Sequence, residues 1–123
     1  MAAADPAALS PDEARALEEA VRTYAGTGPA LTIAPGSPAP DPRTWHTPLR
    51  LLTLTPPGTE AEADRAYDDW VHWIAGGGLL ALSGVSPGTP ADHLYRRALA
   101  TGKFRELPAP GDLRILHRTA ACN

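Results

Sequence analysis

One cysteine, one methionine, one phenylalanine and one lysine are all that this chain of 123 residues holds of those four types. The cysteine, Cys122, stands next to the last residue, which excludes a disulfide framework and a cysteine-based metal site and fits a reducing compartment. No apolar run approaches the ~20 residues that span a bilayer. The opening MAAADPAALSPDE has no basic stretch and meets an acid early, so a signal peptide is not expected. The expectation is a cytoplasmic protein with no membrane partner. The chain contains no GxGxxG, GxxxxGK[ST] or GxSxG pattern and no HxH or HxxxH spacing. The familiar phosphate cradles, the strained serine elbow and the short histidine metal motifs are therefore missing, and no cofactor or metal is expected.

What is present suits a single α/β domain over residues 1–123. A chain of this length can bury roughly two thirds of its unfolded surface and needs no covalent staple. Ten arginines against the single Lys103, with many alanines, prolines and glycines, read as the codon preference of a GC-rich bacterial genome. The net charge of −3 is unevenly spread: residues 1–85 hold eleven acids and five arginines, net −6. Residues 86–123 carry net +3, with Arg96, Arg97, Lys103, Arg105, Arg114 and Arg118 as the bases. Such asymmetry suits either an ordinary solvated surface or a face for an acidic partner.

Three helix starts share one punctuation. Ser10, Pro11 and Glu13 form a capping-box signature, followed by Ala14, Leu17, Val21 and Tyr24 at helical spacing and a glycine stop at Gly26. Thr59 with Glu62 opens a second helix, expected over 60–75, and Thr89 with Pro90 opens a third that stops at Gly102. Between them lie apolar runs of strand length at 30–34, 49–55, 79–83 and 113–117. Residues 35–48 hold five prolines and form a long loop. Gly76, Gly77 and Gly78 read as a tight turn from helix to strand. The expected architecture is a small three-layer sandwich, a mostly parallel four-stranded sheet with three helices in the order α-β-β-α-β-α-β.

Candidate chemistry is sparse. The turn after 49–55 would face a ligand at the strand carboxyl ends, but Pro56 and Pro57 remove the amides that an anion needs. Asp68, Asp69 and His72 fall within one helical turn, where a carboxylate could orient the imidazole, although such pairs are common on solvated faces. His46, Ser83 and His93 would be the catalytic residues if an enzyme used the strand carboxyl ends. His46 and His93 with Asp41 or Asp92 would be the nearest approach to a metal site. Tyr67, Trp70 and Ile74 should pack on the sheet, while Trp73 falls to the side. Trp45, Trp73, Arg96 and Arg97 are the candidate binding residues, aromatics and arginine being the types enriched at interfaces.

The segment DWVHWIAGGGLLAL at 69–82, within 49–84, resembles the class I glutamine-amidotransferase-like superfamily, where a helix ending in W-V-x-x-G-G-x-L leads into a strand. The resemblance implies a flavodoxin-like sheet. The catalytic branches of that superfamily place a cysteine on a strand-to-helix elbow with a later His–Glu pair, and this chain has neither in a matching place. It therefore implies the non-catalytic branch, used for binding or assembly. The expectation is a non-enzymatic binding or protein-interaction module, acting as a homodimer or as a subunit of a larger complex. A small-molecule ligand is open, and nucleic acid is disfavoured by the acidic balance. The alternatives are a small proton-transfer or hydrolytic enzyme at the strand carboxyl ends, and a regulator that binds an acidic macromolecule through the basic C-terminal third.

Overall fold

Capping explains where the helices begin. In the computed structural model, which describes residues 10–25, 28–33, 43–54 and 59–119, helix α1 spans Pro11–Tyr24. Ser10 Oγ accepts from the Glu13 amide at 3.2 Å and Glu13 Oε1 accepts from the Ser10 amide at 3.0 Å, the reciprocal box the sequence signals. Thr59 and Thr89 cap α2, Glu60–Trp70, and α3, Pro90–Ala100, through hydrogen bonds from the amides of Glu62 and Asp92. Gly102, at φ +73°, follows α3 in the left-handed region. Gly26, the expected stop of α1, lies outside the described residues, as do 34–42, 55–58 and Cys122.

The strands are β1 Ala30–Ile33, β2 Leu49–Leu54, β3 Ile74–Leu82, β4 Phe104–Leu107 and β5 Arg114–Arg118, in the spatial order β1-β2-β3-β5-β4. β1, β2 and β3 run parallel, whereas β5 is antiparallel to both β3 and β4. The α/β class with three helices stands, but among the described residues the sheet is mixed and has five strands instead of four. β4 escapes sequence reading because Phe-Arg-Glu-Leu is a short edge segment that buries only Leu107. A turn through Pro108, Pro110 and Gly111 then folds β5 back beside β4 as a hairpin, which places β5 antiparallel against β3.

The glycine triplet also differs from expectation. α2 stops at Trp70 and a 3-10 turn, Val71–Trp73, leads directly into β3, so the three glycines lie inside the strand. Leu49 pairs with Ile74 and Leu51 with Leu79, so two steps along β2 match five along β3 and the glycines sit in a bulge. An added Cβ at Gly78 would meet Leu49 O and Ala75 O, each at 3.0 Å. Close backbone approach, and not a turn, is what demands glycine there.

Two cores flank the sheet. One joins Leu52, Leu54, Leu80, Leu82 and Leu116 to Tyr67 and Trp70 of α2 and to Ala91, Leu94 and Ala98 of α3. The other joins Leu79, Ala81, Leu113 and Ile115 to Ala20, with Leu17 and Val21 of α1 packed against it. The alternation along β3 that splits Leu79 and Ala81 from Leu80 and Leu82 is the strand period of two, and it builds three layers. Among the described residues, no helix is long and apolar enough to cross a membrane.

Candidate functional site: a basic cleft between two helices and a hairpin

Helices α2 and α3 share one face of the sheet, and a polar ladder runs between them. Glu60, Asp64 and Asp68 recur at four-residue spacing on α2, and His93 and Arg97 do the same on α3. His93 Nε2 donates to both Asp64 oxygens, at 3.0 and 3.1 Å, while its Nδ1 lies 4.0 Å from Glu60. Arg97 donates to Asp64 at 2.9 Å through Nη1 and to Asp68 at 2.5 Å through Nη2. Its guanidinium also lies 4.3 Å from the centroid of the Tyr67 ring, a cation–π contact. Partial desolvation would raise the Asp64 carboxyl, but the hydrogen bond and charge of His93, then those of Arg97, outweigh it and hold Asp64 below its usual value.

The ladder ends in a cleft of about 240 Å³, lined by Tyr67, Asp68, Val71, His72, Arg97, Thr101, Lys103, Phe104 and Arg118. Three elements build it: the C-terminal end of α2 with its 3-10 turn, the C-terminal end of α3, and the open end of the β4–β5 hairpin. Phe104 and Arg118 are register partners across that hairpin. Beyond them, the amide and hydroxyl of Thr119 donate to the Lys103 carbonyl at 3.0 and 3.1 Å. Lys103, Phe104 and Arg118 are thus brought together by strand pairing. Arg118 Nη1 donates to the carbonyls of Ile74 at 2.7 Å and Val71 at 3.3 Å, which ties the hairpin to the turn after α2. Burial raises the Tyr67 hydroxyl above its usual value, with the Asp68 charge adding to it and Arg97 and Arg118 opposing.

The residues singled out from the sequence are dispersed. Ser83 is buried at the carboxyl end of β3, and His93 stands in the first turn of α3, which starts from that end. His46 precedes β2 and so lies at the amino end of the parallel strands, with its Nδ1 donating to the Thr44 carbonyl at 3.0 Å. The three do not form one constellation. Trp45 stacks edge-on against Trp70 at 5.5 Å and donates its indole N–H to the Thr47 carbonyl. Trp73 is half-buried against the core of α2 and α3, and among the described residues its indole N–H has no hydrogen-bond partner. Arg96 is bound to Asp92 at 3.1 Å on its own helix. Only Arg97, of the four binding candidates, lines the cleft.

His72 also lines it, but its ring contact is with Trp73 at 5.4 Å and no carboxylate among the described residues pairs with it. Asp68, expected beside His72, is instead taken by Arg97. Among the described residues, no group of three or more His, Cys, Asp or Glu could hold a metal ion. The sequence does not single out Asp64, Tyr67, Thr101 or Phe104 as site residues, and it marks Lys103 and Arg118 only among the bases of the C-terminal third. The four-residue spacing on α2 and α3 was the available signal for the ladder, whereas nothing local marks the meeting of Lys103 with Arg118. No family model matches the chain.

Proposed function

We propose that this protein is a non-enzymatic α/β binding module whose ligand site is the cleft between α2, α3 and the β4–β5 hairpin. The carrying observation is that polar side chains from three elements line it together with Tyr67 and Phe104. Ligand sites combine an apolar floor with a few oriented polar groups in this manner. The one carboxylate in the cleft, Asp68, is committed to Arg97 and so is not available as a general base. The resemblance of residues 49–84 to the non-catalytic branch of the class I glutamine-amidotransferase-like superfamily points the same way. The enzyme alternative is weaker, because His46 stands at the other end of the strands from Ser83 and His93. The acidic-macromolecule alternative is weaker as well, because Arg96, Arg97 and Arg114 are each within ion-pair distance of an acid of the same chain.

The test is a thermal-melt screen of small metabolites against the wild-type chain and His72→Trp, which narrows the cleft at an exposed position. A ligand at ~100 times its dissociation constant adds about 2.7 kcal/mol. A hit that stabilises the wild type and is lost in His72→Trp is the expected result. Hits that are the same in both proteins would move the binding site elsewhere.

A further inference from the structure

The cleft carries a positive charge that the rest of the molecule does not explain. Its lining holds Arg97, Lys103 and Arg118 against Asp68, a net +2 from these four residues, in a chain of net charge −3. Arg97 is neutralised by Asp64 and Asp68. The other two cations are not. Among the described residues, exposed Lys103 has no ion-pair partner, and Arg118 is held by two carbonyls through Nη1 and by no carboxylate.

The helix ends oppose an anion, since α2 and α3 both point their C-termini at this cleft and each helix end carries roughly half a negative charge. Much of that field is already met. Arg118 covers the carbonyls of Val71 and Ile74, and the amides of Thr101 and Gly102 with the Thr101 hydroxyl cover those of Ala98 and Leu99. Anchoring through one nitrogen leaves Nε and Nη2 of Arg118 to donate in the planar fork that matches an oxyanion. A volume of about 240 Å³ holds only a compact molecule, and Phe104 and Val71 offer it an apolar wall.

We infer that the cleft binds a small organic anion, with its carboxylate or phosphate group between Lys103 and Arg118 and a compact flat body against Phe104. This rests on the binding-module reading and names the ligand class. The folded chain is titrated calorimetrically at low salt with benzoate, phenyl phosphate, inorganic phosphate and neutral benzamide.

Saturable binding of benzoate or phenyl phosphate, tighter than benzamide by about tenfold and weakened by added salt, is the expected result. The tighter of the two names the head group. Lys103→Gln should weaken that binding about fivefold or more, while Arg105→Gln, on the same edge but outside the cleft, should leave it unchanged. Inorganic phosphate binding equally well to wild type and Lys103→Gln, with neither organic anion bound, would mean an adventitious ion only and overturn the inference. Benzamide binding that matches or exceeds benzoate would overturn the anion class and leave the cleft standing as the binding site. No binding of any probe would overturn the inference while the wider metabolite screen still decides the binding-module reading.

Discussion

Glu13 Oε2 accepts the backbone N–H of Asp112 at 3.1 Å, although the two residues lie 99 positions apart. The same carboxylate caps its own helix through Oε1, so one side chain closes the start of α1 and holds the turn between β4 and β5. Gly111 lets it approach: φ there is +60°, and an added Cβ would meet Glu13 Oε2 at 2.6 Å.

Glu13→Ala should therefore cost more than a lost cap, which is worth about 1 kcal/mol. The expected loss is about 1–2 kcal/mol by denaturant titration, the tether adding to the cap. Glu18→Ala is the control, because the Glu18–Arg22 pair is 3.9 Å long and 72% exposed on both sides. Such pairs contribute about 0–1 kcal/mol. Equal losses in the two variants would show that the tether to Asp112 contributes nothing.

Asp64 should make stability depend on acid. Its folded carboxyl is held below its unfolded value of about 4, so its contribution is present above that pH and is lost as pH falls through the folded value. The stability difference between wild type and Asp64→Asn should shrink as pH is lowered below about 4, toward the folded value of Asp64. A difference that does not fall there would contradict the ladder between α2 and α3.

Gly78→Ala should destabilise by roughly 1–3 kcal/mol, because the added methyl group meets two backbone carbonyls that cannot rotate away. Gly77→Ala tests a different cost, since φ there is +86° with open space around the site. The left-handed region costs a non-glycine residue about 1–2 kcal/mol. Thermal melts of the two variants that match wild type would contradict the bulge in β3.

The Tyr95 hydroxyl donates to Glu106 at 2.6 Å, linking α3 to β4. That hydrogen bond, then burial and the Glu106 charge, raise the hydroxyl above its usual value near 10. In an alkaline titration followed by phenolate absorbance, Glu106→Gln should move one tyrosine to lower pH. An unchanged titration would show that the contact does not form in solution.

How much of this was legible follows from where each signal resides. Ser10, Thr59 and Thr89 cap helices by contacts within three residues, so the sequence showed them directly. The short, continuously apolar run at 79–83 marks a buried strand in the same way. β4 and the direction of β5 depend on a hairpin whose strands bury few side chains, and a short charged edge such as Phe-Arg-Glu-Leu carries little pattern. The glycine triplet misled because glycine serves turns and close approaches alike, and only the pairing of Leu49 with Ile74 distinguishes them. The cleft was invisible for a further reason: Lys103 and Arg118 meet only through strand register, and Asp68 chose Arg97 across the helix pair over His72 beside it.

The most direct test of the cleft as the binding site is amide chemical-shift mapping by two-dimensional NMR while charged and neutral fragments are added. The account predicts saturable shifts clustered at 67–73, 97–104 and 118–119, around the C-terminal ends of α2 and α3 and the open end of the hairpin. Shifts confined to 83–93, where the parallel strands end, or a spectrum that no fragment perturbs, would contradict it.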